Sequence, residues 1–241
     1  MSLVAGADGC PGGWLCVLLD AATGEPVSAF IAPDFGALIA RGDISHVAVD
    51  IPIGVPDFVT TGGRGCDKAL RSVLGGRQSS VFAVPARAAL EKEDYRAACD
   101  AAFANSDPAR KVSKQCFHIF PKIREVDAVM TPQLQSRIGE CHPEGAFWAM
   151  NDRTALTLPK KVKSKVFGPG LAERRALLLK SGFAESFLDA HQFRRAEAQA
   201  DDFLDACACA WSVRRVMRGE AIRFPDHPQT DPRGLRMEIL V

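Results

Sequence analysis

Short apolar runs separated by turns dominate the first 50 residues and predict a series of β-strands. The first three runs are residues 3–8, 14–19 and 27–31. The turns between them are too short for helical crossovers, so we expect an antiparallel meander. A short helix at 34–41 leads to a fourth strand at 46–50, which we expect to return beside the first strand.

The first and fourth runs both end in an aspartate, Asp8 and Asp50. A carboxylate that closes a buried strand lies at the rim of the sheet, where an unpaired charge is costly. Two such carboxylates side by side would repel each other, which indicates a positive partner such as a metal ion between them. The alternative is that each aspartate caps the turn that follows it.

The remaining chain predicts a long insertion and a helical second half. Residues 53–90 are irregular and rich in glycine and arginine, and long loops inside a compact domain are usually functional. The other predicted elements are helices at 87–104 and 112–129, a fifth strand at 138–142, a polar connector at 151–170, helices at 171–181, 184–190 and 200–218, and a proline-containing tail.

The last helix is apolar nearly all round from Phe203 onward, which predicts that it is buried. It nevertheless carries Asp202 and Asp205 one turn apart on one face. Asp201 can be explained as a favourable charge at the helix N-terminus. Asp205 lies deeper in the apolar stretch, where a carboxylate needs a charged or hydrogen-bonding partner. We therefore predict that this helix contributes to the same acidic site as Asp8 and Asp50.

Composition limits the class of protein only broadly. The chain has 241 residues and a net charge of +1, so no global field indicates a polyanionic partner. Its eight cysteines show no metal-ligand or disulfide spacing and are interpreted as buried apolar residues. No signal peptide or membrane-length apolar run is evident, and we expect a cytoplasmic location without membrane association.

Basic and hydroxyl side chains supply candidate phosphate contacts, because arginine forks suit phosphate oxygens. Arg77 stands close to two serines in a glycine-flanked loop and favours anion contact. The lysine run that begins at Lys160 is equally well explained as a solvated surface. The predicted substrate-binding residues are Arg64, Arg77, Ser79, Ser80, Arg87, Lys160 and Lys161.

Six segments of the chain resemble the domain of unknown function 429 family, whose members are commonly labelled predicted ribonuclease H-like nucleases. They are GADGCPGGW (6–14), DIPIGVP (50–56), CD to SSVF (66–82), HPE (142–144), DFLDA (202–206) and GLRMEI (234–239). The resemblance implies an α/β, ribonuclease H-like fold: a mixed five-stranded sheet flanked by helices, with helical and loop insertions. We expect a single domain over 1–241 with an inserted segment around 53–135.

By position, the resemblance assigns an acidic set of Asp8, Asp50, Asp202 and Asp205. Carboxylate oxygens select Mg²⁺ or Mn²⁺, and four such groups can hold a pair of ions, with Asp8 as the expected bridging ligand because the central strand is the most fixed. Many members of the superfamily place a glutamate where this chain has none, so Glu144 becomes an additional catalytic candidate. His142 is either a proton relay or a core histidine bonded to the backbone.

The implied function is divalent-metal-dependent hydrolysis of phosphodiesters in nucleic acid. Two other classes share the fold. One is a nucleotide-binding phosphotransferase of the actin or sugar-kinase type, although the turn at 9–13 lacks the expected hydroxyl side chains. The other is a catalytically inert binding module, against which the cost of unneeded buried carboxylates argues.

Overall fold

The structure is a computed structural model that describes residues 2–163, 165–190 and 193–241. Its strands are β1 (Leu3–Cys10), β2 (Gly13–Asp20), β3 (Pro26–Ala32), β4 (Ile44–Val49), β5 (Val59–Thr60), β6 (Ser106–Asp107), β7 (Ile138–Glu140), β8 (Lys161–Val162), β9 (Lys165–Val166), β10 (Arg223–Thr230) and β11 (Arg236–Leu240). Its α-helices are α1 (Phe35–Ile39), α2 (Gly65–Val73), α3 (Arg87–Leu90), α4 (Tyr95–Ala104), α5 (Lys114–His118), α6 (Phe120–Val129), α7 (Pro143–Met150), α8 (Gly168–Lys180), α9 (Glu185–Ala190) and α10 (Ala200–Met217).

The central sheet has five strands in the order β3-β2-β1-β4-β7. β1, β2 and β3 pair antiparallel, which confirms the predicted meander. β4 pairs parallel with β1 on one side and with β7 on the other, so the fourth strand lies beside the first as predicted. This α/β topology, with a mixed sheet flanked by helices, is consistent with a ribonuclease H-like fold.

Alternate side chains of the sheet enter two separate cores, as the period of two in a strand requires. On β1, Val4 packs in a core with α2, α7, α8 and α10, whereas Ala5 packs in a core with α1 and α3 to α6. Both faces of the sheet are therefore covered, which explains why its strands are almost continuously apolar.

Two helices predicted as continuous are broken. The first ends at Leu90 and restarts at α4, where the Asp94 side chain accepts the Ala97 N–H (2.9 Å) as a helix cap. The second is interrupted before Pro121, which has no N–H to continue a helix and instead occupies the first turn of α6.

Several elements were not predicted, among them the short strand pairs β5–β6 and β8–β9. The insertion contains the nine-residue helix α2, and Pro143 opens helix α7 instead of merely ending a strand. The proline-containing tail forms the β10–β11 hairpin, in which the ladder is interrupted between Phe224 and Gln229. Pro225 and Pro228 lie in that interruption, where no ladder hydrogen bond is required of them.

All eight cysteines are buried and free, as predicted. In the part of the chain that the structure describes, no helix has the length and apolar character needed to cross a membrane.

Candidate metal centre and cleft

Three carboxylates meet at one edge of the central sheet. Asp8 lies near the end of β1, and Asp50 directly follows β4, where its N–H donates to the Ala7 carbonyl (2.9 Å). Because β1 and β4 are parallel neighbours, their carboxyl ends place both aspartates together. Asp205 of α10 completes the set, and one carboxylate oxygen from each residue lies within 4.8 Å of the others. We call these three residues the carboxylate cluster.

A glycine on β1 allows α10 to bring Asp205 to the sheet. A Cβ atom at Gly6 would lie 2.0 Å from the Ala210 nitrogen and 2.2 Å from the Ala206 carbonyl oxygen. Any larger residue would force the helix away from the strand. The close approach of α10 to β1 therefore depends on the absence of a side chain at this position.

Burial and mutual repulsion make the cluster hard to ionise. Burial, followed by the charge of Asp50, raises the pKa of Asp8 well above its ordinary value. Burial, followed by the charge of Asp205, raises the pKa of Asp50 to about 7. The pKa of Asp205 is also raised by burial, although a neighbouring ammonium group opposes the shift. A cation in the cluster would relieve this cost.

That ammonium group belongs to Lys160, which precedes the β8–β9 hairpin and pairs with Asp205. The negative charges of Asp205, Asp8 and Asp50 together raise the pKa of Lys160 despite its partial desolvation, so it is charged. The interpretation of the lysine run as a solvated surface is therefore wrong for Lys160. Lys160 lies in the cleft, but among the carboxylates.

The first two aspartates of α10 do not have the roles predicted for them. Asp202, predicted as a metal ligand, accepts the Gln199 N–H (2.8 Å) and so caps the helix, and it lies outside the carboxylate cluster. Asp201, predicted as the helix-terminal charge, is buried and pairs with Lys161 (2.7 Å). Asp202 does line the cleft, and burial raises its pKa to about 6.

Glu144 is already neutralised by two arginines. It lies in the first turn of α7 and accepts hydrogen bonds from Arg174 (2.6 and 2.7 Å) and Arg77 (3.0 Å). Burial alone would raise the pKa of Glu144, but the two guanidinium groups outweigh it and lower the pKa. A carboxylate held in this way orients Arg77 and is not free to act as a catalytic acid or metal ligand.

The His142 ring is bonded to the backbone on both sides. Its Nδ1 accepts the Glu144 N–H (3.2 Å) and caps α7, which leaves Nε2 as the donor to the Ser80 carbonyl (3.4 Å). Burial lowers the pKa of His142, so the ring is neutral. Of the two roles considered from the sequence, these contacts favour the histidine bonded to the backbone over the proton relay.

The loop predicted to contact phosphate does reach the cleft. Arg77, Ser79 and Ser80 belong to a 3₁₀ helix, Gly75–Ser80, that lines the cleft wall. Arg77 is anchored through Nε, and its two terminal amino groups have no hydrogen-bond partner among the described residues. The fork of this arginine is therefore available to a ligand in the cleft.

Two predicted phosphate contacts are instead internal ion pairs. Arg64 is buried beneath the cleft and bonded to Asp67 (2.8 Å) and Glu140 (2.6 Å). Arg87 pairs with Asp127 (2.7 Å) and Asp231 (3.0 Å) and does not line the cleft. The predictions of phosphate contact for Arg64 and Arg87 are therefore wrong. A glycine- and arginine-rich sequence does not distinguish an arginine in an internal ion pair from one that binds a ligand.

Sequence reasoning missed Arg174 entirely. This fully buried residue of α8 donates to the carbonyls of Leu158 (3.1 Å) and Gly170 (2.8 Å) as well as to Glu144. It thus connects the segment before Lys160 to the glutamate that orients Arg77. An arginine on an otherwise ordinary amphipathic helix carries no local signal of such a role.

Asp8 and Asp50 of the carboxylate cluster and Arg77 border one cleft of about 1160 Å³, and Lys160, the partner of Asp205, lines it as well. Together these features define a class: an α/β protein with a mixed five-stranded sheet and a carboxylate cluster, able to bind a divalent metal ion, at the sheet edge. The family model described as protein of unknown function DUF429 matches residues 6–230, and the chain belongs to that family. Comparisons with curated proteins and with solved structures each found no match.

Proposed function

We propose that this protein is a divalent-metal-dependent phosphodiester hydrolase that acts on nucleic acid. The observation that carries the proposal is the carboxylate cluster, with three oxygens within 4.8 Å of one another, in a cleft that also presents the free fork of Arg77. This arrangement combines a site for a hard cation with a separate site for a phosphate oxygen.

The donor set fits Mg²⁺ or Mn²⁺. Oxygens around one octahedral Mg²⁺ ion are at most about 4.2 Å apart, because each metal–oxygen distance is roughly 2.1 Å. The cluster needs only a small contraction to reach that spacing, and it offers no nitrogen or sulfur ligand that would favour zinc. When bound, such an ion activates water and stabilises negative charge on a phosphoryl oxygen.

The residues of the chain position the substrate for hydrolysis. Asp8, Asp50 and Asp205 would hold the ion, and Arg77 would donate to phosphate oxygens through its free amino groups. In the reaction, the oxygen of water forms a bond to phosphorus and one phosphorus–oxygen ester bond breaks. A proton from the water passes to the departing oxygen, so the products are a phosphate monoester and a free hydroxyl group.

One local surplus of positive charge supports contact with a phosphate group even though the net charge of the chain is only +1. Glu144 lies between two guanidinium groups, so this group of three residues has one surplus positive charge at the cleft wall. Lys160 and Lys161, by contrast, are each paired with an aspartate. Phosphate recognition therefore falls chiefly to Arg77 rather than to the lysine run.

The test is cleavage of structured DNA and RNA with Mn²⁺ and with EDTA, comparing the wild type with Asp8→Asn. We expect metal-dependent cleavage that Asp8→Asn abolishes, while the metal-free melting temperature stays equal or rises because one repelling carboxylate is removed. Asp100→Asn, an exposed change on α4, is the matched control and should cleave normally. Mn²⁺ binding without cleavage of any substrate would overturn the assignment as a nuclease.

A further inference from the structure

We propose that this centre takes one divalent ion, not two, because Lys160 supplies the second positive charge within the carboxylate cluster. The inference rests on the proposed metal site and concerns the number of ions and the role of a lysine of this chain. In this proposal Lys160 is a positioning residue of the metal centre and not one of several solvent-exposed surface lysines.

The contacts of Lys160 place its ammonium group in the cluster. It is ion-paired with Asp205, and its charge also acts on Asp8 and Asp50. Its side chain is 31% exposed while that of Asp205 is 1% exposed. The lysine therefore covers the buried carboxylate from the cleft side, where a substrate phosphate would approach.

The charges balance with a single ion. The three ionised carboxylates have three negative charges, of which Lys160 neutralises one. One divalent ion neutralises the other two and leaves the buried centre without net charge, which is the favoured state in a medium of low dielectric constant. A second divalent ion would leave the same centre with two surplus positive charges.

The nearby carboxylates that could ligate a second ion are already bonded. Asp202 accepts a backbone N–H at the start of α10, and Asp201 pairs with Lys161. Glu144 accepts from Arg174 and Arg77. A pair of ions about 4 Å apart needs ligands beyond the three oxygens of the cluster. Recruiting Glu144 would break a buried contact, and Asp201 and Asp202 lie outside the cluster, where each could offer only the oxygen that its partner leaves unengaged.

The backbone that carries Lys160 is held against α8. A Cβ at Gly170 would lie 1.9 Å from the Pro159 carbonyl oxygen, so the helix and this segment touch backbone to backbone. The Phe167 N–H donates to the Lys160 carbonyl (2.9 Å), and Arg174 donates to the Leu158 carbonyl (3.1 Å). A lysine on a segment fixed in this way is preorganised for the cluster.

The experiment measures Mn²⁺ stoichiometry and affinity by calorimetric titration of metal-free protein, together with its melting temperature. We expect one Mn²⁺ per wild-type chain. Lys160→Met keeps the length of the side chain and removes its charge, so it should tighten Mn²⁺ binding by about tenfold or more and lower the metal-free melting temperature. Lys160→Arg keeps the charge and should bind Mn²⁺ as the wild type does.

Lys161→Met is the matched control, since Lys161 pairs with Asp201 outside the cluster, and it should leave Mn²⁺ affinity unchanged. Two ions per wild-type chain would overturn the inference and leave the proposed function standing. Unchanged Mn²⁺ affinity in Lys160→Met, or equal tightening in Lys160→Arg, would overturn it as well. A wild type that binds no Mn²⁺ would overturn the proposed function itself.

Discussion

At the scale of single residues, Arg77 shows how one side chain is both anchored and left available. Its Nε donates to Glu144, which is also bonded to Arg174 through both carboxylate oxygens. Its side chain is 18% exposed, and the terminal amino groups are directed to no other described residue. An arginine restrained at Nε loses little further freedom when its planar fork meets a phosphate.

Replacing this fork with a point charge should weaken substrate binding. For Arg77→Lys we expect KM to rise by about tenfold or more, because two charge-assisted hydrogen bonds become one at most. Steady-state cleavage kinetics measure the effect, and Arg110→Lys, an exposed arginine in a loop, is the control. Wild-type kinetics in Arg77→Lys would show that this loop has only a structural role.

At the scale of elements, α8 serves as the support for both sides of the cleft. Arg174 fixes Glu144 on α7 and the carbonyl of Leu158 before the β8–β9 hairpin. Glu173, on the same helix, accepts the N–H groups of Thr157 (3.2 Å) and Leu158 (3.1 Å). The positions of Arg77 and Lys160 therefore depend on a helix that contributes neither.

Removal of the buried arginine should destabilise the fold strongly. Arg174→Met leaves Glu144 buried with only Arg77 as a partner, and breaking a buried pair in this way costs about 3–5 kcal/mol. Urea unfolding gives the change in the free energy of unfolding. Arg175→Met is the control at the next position, where the arginine forms surface pairs, and it should change stability little. Similar losses in the two variants would contradict the supporting role of Arg174.

At the scale of the whole molecule, the cluster makes metal-free stability depend on pH. Asp50 has a pKa of about 7 when folded and an ordinary value of 3.8, so between these values the folded chain holds a proton that the unfolded chain has lost. Stability is therefore greatest below the lower value and falls as pH rises through the upper one. Asp8 and Asp205, whose pKa values are also raised, act in the same direction.

We expect the metal-free melting temperature to be higher at pH 6.5 than at pH 8, and saturating Mn²⁺ to remove or reverse this difference. The comparison is limited to pH 6.5 and above, because 6.5 is the ordinary pKa of histidine. Below pH 6.5 the lowered pKa of buried His142 makes stability rise with pH, which opposes the effect of the aspartates. Differential scanning calorimetry measures the change, and Asp50→Asn should flatten it. A melting temperature that rises with pH in the metal-free wild type would contradict this account.

The acidic half of the site could be predicted from the sequence because it follows from local pattern. Asp8 and Asp50 each end an apolar run, and parallel pairing of those two strands is enough to bring them together. Asp205 was predicted by its position inside an apolar helix, where an unpaired carboxylate is costly. The basic half could be predicted only in part. The two serines and flanking glycines marked Arg77, but no local pattern showed that Arg64 and Arg87 form internal ion pairs.

The sequence by itself determined the five strands of the central sheet, the meander, the buried last helix and the acidic residues, because hydrophobic periodicity is a local property. Only the tertiary structure decided which charges are partners. Lys160 meets Asp205 across 45 positions, and Arg174 meets Glu144 across 30. The pairing of buried Asp201 with Lys161 has the same origin, since these two residues are also far apart in the sequence.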